Sequence, residues 1–137
     1  MTVMFDVPFV MGKGRVRFVK QTGRTYTPDR TAQAMYDIRS AYLAAGGKLA
    51  PKDAEVTVHI TTVRPLPKSR PKRIESEPDI YRPDVDNIAK LVLDALNGCA
   101  WHDDTQVTEL VVGKCERVRE VTEQTVVWIS WEVPNGN

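Results

Sequence analysis

The chain is poor in the residues that build a soft-metal or redox centre. Its 137 residues include two cysteines and two histidines. Cys99 and Cys115 show no metal-ligand spacing, which excludes a zinc finger or ribbon. Each lies in an apolar neighbourhood, so both are expected to be buried free thiols of a reducing compartment rather than a disulfide. Long apolar runs are missing as well, which excludes a bilayer-spanning helix. No basic segment followed by an apolar run opens the chain, so a secretory signal is not expected and the location read from the sequence is cytoplasmic. No internal repeat is visible, which excludes a solenoid.

Net charge is also nearly absent, at +1, but it is unevenly divided. Residues 1–73 hold 14 Lys and Arg against 5 Asp and Glu, a balance of +9, and residues 74–137 hold 5 against 13, a balance of −8. A basic half beside an acidic half suits a protein that grips a polyanion with one part and holds a metal with the other. The alternative is charge that neutralises itself across the fold. Length and an apolar share of 42% fit one domain, residues 1–137, with one core.

Hydrophobic periodicity supplies the elements. Thr2–Val10 is apolar and β-branched and predicts a strand. In Lys13–Lys20, Arg15 and Arg17 alternate with Val16 and Phe18, which sets the basic side chains on one face of a second strand. A turn at 21–24 and a short return strand at 25–27 follow. Pro28 opens a helix from Asp29 or Arg30 to Ala45, with Ala34, Met35, Ile38, Ala41, Tyr42 and Ala45 at helical spacing and Gly46-Gly47 as its stop. Ala54–Val63 alternates as a half-buried strand, with His59 on the outer face. Residues 64–82 carry Pro65, Pro67, Pro71 and Pro78 among Arg64, Lys68, Arg70, Lys72 and Arg73, with little to bury. They predict a mobile loop whose cations are candidates for phosphate contact, alongside Lys13, Arg15, Arg17 and Lys20. A second helix, Val85–Asn97, shows the i, i+3, i+4 stripe Ile88, Leu91, Val92, Ala95 and Leu96. Strands at Gln106–Glu116 and Gln124–Val133, joined by a hairpin connection at 118–123, complete two main helices and about five or six strands. The expected class is α/β or α+β with a mixed sheet.

The acids around the second helix carry the chemistry. Asp84 and Asp86 precede or open it, and capping accounts for one of them but not both. Asp103 and Asp104 follow the turn after it. Spacing does not decide whether they approach Asp84. If they do, the carboxylates raise one another's pKa unless a cation intervenes, and an all-oxygen set favours Mg²⁺, with Mn²⁺ as a substitute. Such a centre suits phosphoryl chemistry. Lys90 is one turn beyond Asp86, as a phosphate contact or as a salt-bridge partner of Asp86 and Asp94. His102 reads either as a plain loop residue or as a group assisting the acids.

Taken together, Arg82-Pro-Asp-Val-Asp-Asn-Ile-Ala-Lys90, Leu93-Asp-Ala-Leu-Asn-Gly98 and Trp101-His-Asp-Asp-Thr-Gln-Val107 resemble the RusA family. These are small homodimeric Holliday-junction resolvases of prophages and bacteria. The likeness extends to Pro8–Arg17 and to Tyr26-Thr-Pro28, and so covers most of the chain. It implies a mixed α/β fold and Mg²⁺-dependent cleavage of four-way DNA junctions by a homodimer, without a membrane. Carried across by position, it implies metal-binding catalytic aspartates at Asp84, Asp86 and Asp104, an essential lysine at Lys90, and Asp103 as an alternate or auxiliary ligand. The last strand and the N-terminal strand are the candidate dimer surfaces. Rival expectations are a branched-DNA binder that does not cut, and a related metal nuclease acting on flaps or duplex.

Overall fold

A computed structural model of the chain describes residues 1–14, 17–19, 24–26 and 29–134, with backbone alone for 17–19 and 24–26. The mixed α+β class is as expected. The elements in order are β1 (Thr2–Val7), β2 (Arg17–Val19), β3 (Arg24–Tyr26), α1 (Asp29–Ala44), β4 (Val56–Val63), β5 (Ser76–Glu77), α2 (Val85–Leu96), a 3₁₀ turn (Asp104–Gln106), β6 (Val107–Lys114), β7 (Arg117–Val118) and β8 (Gln124–Trp131). The strands divide between a four-stranded sheet, ordered β1-β8-β4-β6, and two small ribbons, β2-β3 and β5-β7. In the main sheet β8 pairs antiparallel with β1 and β4, while β4 and β6 run parallel.

Period-2 alternation decides which face is covered. Val3, Phe5 and Val7 of β1, Val56, Val58 and Ile60 of β4, and Val127, Ile129 and Trp131 of β8 are buried and form one cluster with α1 and α2. The α2 stripe Ile88, Leu91, Val92, Ala95 and Leu96 packs into it as its spacing requires. Burying each of its large side chains is worth about 1.5–3 kcal/mol. Helix α1 ends at Ala44 because Gly46 adopts φ +89°, a conformation that glycine enters at no steric cost.

A parallel β4–β6 pair needs a crossover, and residues 64–106 with α2 provide it. The strand returns alongside the helix in the opposite direction. Lys114, at the far end of β6, donates to the Pro83 carbonyl (2.9 Å) just before α2 begins. The two ends of α2 therefore lie towards opposite ends of β6.

The stretch at 64–82 differs from the mobile loop its prolines suggest. Leu66 is buried, its amide bonds the Val118 carbonyl (2.8 Å), and β5 within the stretch pairs with β7. Arg119 donates to the carbonyls of Arg70, Pro71 and Ile74. Side-chain donors replace the missing apolar contacts, and that substitution leaves no periodic trace. Cys115 also departs from expectation. It is exposed, because it follows β6 at the rim of the sheet, whereas Cys99 is half-buried and both thiols are free. His59 is half-exposed on the outer face as expected, stacked near Trp128 and 3.1 Å from Glu109.

Candidate metal centre

Asp84 is the N-cap of α2. Its backbone is extended, and its carboxylate accepts from the Asn87 amide at 3.2 Å, which satisfies one of the helix's free donors. Asp86, in the first turn, is paired with Lys90 at 3.6 Å, and both side chains are about two-thirds exposed, at 69% and 64%. A pair so exposed contributes a few tenths of a kcal/mol at most. The opposing acid Asp94 is engaged elsewhere. Its partner is Lys13, not Lys90 as spacing suggests, because the N-terminal segment crosses α2. The Lys13 amide donates to the Asn87 carbonyl (3.2 Å), and a Cβ at Gly12 would stand 2.7 Å from the Asn87 side chain. Asn87 thus ties the start of the basic segment to the helix that carries the acids.

At the other end of α2, Gly98 takes φ +79° and the turn closes through Gly98 and Trp101. Trp101 is fully buried, and its indole N–H donates to Asp104 Oδ1 at 2.7 Å. Asp103 caps the 3₁₀ turn, accepting from the Thr105 amide at 3.0 Å. Gln106 accepts from the His102 and Asp103 amides and donates to the carbonyls of Pro51 and Ala54. The acid pair is thereby fixed to the floor of the fold by one glutamine. Gln106 and Asn87 lie within the motif, and their contacts across the fold have no signal in local spacing. His102 is exposed beside the pair.

Asp84 and Asp86 are separated from Asp103 and Asp104 by the length of α2, about 18 Å for 12 residues. Among the described residues no group of three or more His, Cys, Asp or Glu is arranged to hold a metal ion. A single chain thus offers two carboxylates at each end of the helix, and Mg²⁺, which keeps several waters, is ordinarily held by one or two carboxylates together with substrate phosphate.

The candidate phosphate contacts divide into two sets. Arg64 holds the buried Asp79 through two bonds, of 2.9 and 2.5 Å, and Arg70 holds Glu77 at 2.8 Å. Burial alone would push the Asp79 carboxyl up. The Arg64 bond and the charges of Arg64 and Lys114 outweigh it and hold the group below the ordinary carboxylate range. These two arginines are committed to the loop's own structure. Lys68, Lys72 and Arg73 are exposed. Arg15, Lys20 and the Arg17 side chain lie outside the described residues.

With this geometry in view, residues 8–129 match the family described as endodeoxyribonuclease RusA. The chain belongs to the RusA family. The match begins just after β1, takes in α1, α2 and most of β8, and so contains every acid discussed above. The uncharacterized protein YqaN of Bacillus subtilis (strain 168) is 40% identical over 67 residues, a stretch covering 43% of this chain and 47% of that protein. The chain thus spans about half the length of that relative. Among the described residues no helix is long and apolar enough to cross a membrane.

Proposed function

We propose that this protein is a Mg²⁺-dependent endodeoxyribonuclease that resolves four-way DNA junctions by paired symmetric nicks, in recombination and repair, as a homodimer in the cytoplasm. The observation that carries the reading is the D-x-D-N-x-x-K run and the D-D pair, held at the two ends of one helix in a RusA-family chain. Asp84, Asp86 and Asp104 are the proposed metal-binding catalytic residues, with Asp103 auxiliary and Lys90 directed to the scissile phosphate. Mg²⁺ requires about six oxygen ligands and keeps some of them as water. When bound, it would supply Lewis-acid polarisation of the phosphate. A single chain carries two of these carboxylates at each end of α2.

A second copy would supply the other half. The edge of β6 supports such pairing. Leu110 is 40% and Val111 50% exposed, on opposite faces of this edge strand. An edge of this kind, without proline and with one charge between Val107 and Gly113, invites another strand. Antiparallel pairing of two β6 edges about Leu110–Val111 would run the partner's Asp104 towards Lys114, and hence towards Pro83 and Asp84. The two strands proposed from sequence are less suited. β8 is flanked on both sides, and β1 lies at the sheet edge away from α2's acids.

Two experiments follow. Incubated with a synthetic four-way junction, the protein should nick it in Mg²⁺ and be inert in EDTA. Binding that is equal in both, with no nicking at any sequence placed at the branch point, would leave the non-catalytic reading in possession. That rival draws support from the capping and pairing that occupy each acid. Competition with linear duplex separates a general duplex nuclease. Separately, Leu110→Arg should convert the dimer to monomers in light scattering and abolish nicking, while an unchanged mass rules out the β6 edge.

A further inference from the structure

Immediately before the acids, the chain holds two apolar side chains out in water. Ile80 is 79% exposed and Tyr81 43%. Their exposure is not a sign of looseness. Arg70 donates to the Tyr81 hydroxyl at 3.2 Å, and the Arg117 guanidinium lies 4.5 Å from the ring centroid. Arg64 and Lys114 both donate to the Tyr81 carbonyl. Four cations therefore fix one tyrosine whose remaining ring surface is free. A contiguous exposed apolar patch costs solubility and usually marks a contact. The chemistry around it is anion-seeking, with exposed Arg82 as the next residue and Lys68, Lys72 and Arg73 on the same loop.

We propose that Ile80 and Tyr81 form a stacking platform for a nucleobase unstacked at the branch point of the DNA, three to four residues from Asp84. This rests on the nuclease reading above. A pre-ordered aromatic has little conformational freedom left to lose, and every base offers it a π-face, so the platform would recognise exposed bases without reading sequence. Base pairs are intact along linear duplex, so the platform would add affinity for junctions alone.

The test is binding in EDTA, where cleavage is silent, with a junction carrying 5-iododeoxyuridine at the branch point and a linear duplex as comparison. Wild-type protein should photocross-link through the peptide containing Ile80 and Tyr81. Tyr81→Leu should lose the cross-link and bind the junction about tenfold more weakly, with duplex affinity unchanged. Tyr81→Phe should keep both properties. Ile80→Ser alters a side chain that supports nothing in the fold and should show a smaller loss of the same kind. Equal losses on junction and duplex would overturn the platform, as would wild-type behaviour of Tyr81→Leu and Ile80→Ser. A fall from dimer to monomer in these variants would assign the patch to a second copy instead. Wild-type protein that binds no junction overturns the nuclease reading itself, and the platform with it.

Discussion

A mixture of Asp84→Asn and Asp104→Asn proteins should nick a four-way junction that neither nicks alone. Each variant by itself is expected to lose roughly a thousandfold or more in rate, because removing a cation's charge stabilisation costs several kcal/mol. If one chain's Asp84 and Asp86 work with the partner's Asp104, the heterodimer has one site with both defects and one with none. Subunit exchange at equal amounts should then recover about a quarter of wild-type nicking, from half the dimers with half their sites. The products should be single nicks, since paired cuts need two whole sites. Asp84→Asn mixed with Asp86→Asn should recover nothing, because both defects lie at the same end of α2 and disable every site. An inactive first mixture, with exchange demonstrated, would mean that the four acids act within one chain. The separation of the acid pairs by the length of α2 would then have to close on binding DNA.

Much of this was legible in the sequence, and the boundary is physical. Strand alternation in β4 and β8 and the helical stripe of α2 follow from burial on one face, which the residue order records directly. The acid pairs were also visible, together with their capping. What the order does not record is distance across the fold. Asp94 finds Lys13 rather than Lys90 because the N-terminal segment crosses α2, and no local spacing encodes that crossing. The loop at 64–82 differs from its sequence expectation for a related reason. Its stability comes from Arg64, Arg119 and Lys114 reaching carbonyls and one buried carboxylate, and such bonds have no period. Whether Asp104 of a chain lies near its own Asp84 depends on the direction of β6, which local spacing does not encode either.

That loop makes the second large prediction. Asp79→Ala should loosen residues 64–82 and lower overall stability. The Asp79 side chain is 1% exposed and is held by Arg64, at 18%, and by Lys114 at 3.8 Å. Removing it leaves two cations facing each other with little access to water. Breaking a buried pair from one side costs about 3–5 kcal/mol, and Arg64's partial exposure argues for the lower figure. For a chain of this size about 3 kcal/mol lowers the melting temperature by roughly 10 °C. Trypsin should cut faster at Lys68, Lys72 and Arg73, since the loop would open before the core. Asp79→Asn, which keeps an acceptor for Arg64, should lose less. The pH dependence has a defined sign. Asp79 titrates below its ordinary value of 3.8 in the folded protein, so its contribution is complete above that value and disappears as the pH falls through the lower folded one. Between about pH 5 and pH 2 the wild-type melting temperature should therefore fall more steeply than that of Asp79→Ala. Parallel curves, with unchanged trypsin cleavage, would mean that the Arg119 and β5–β7 contacts hold the loop without it. Ile80 and Tyr81 sit at the end of this same stretch, so junction affinity should fall along with the loop's order in Asp79→Ala.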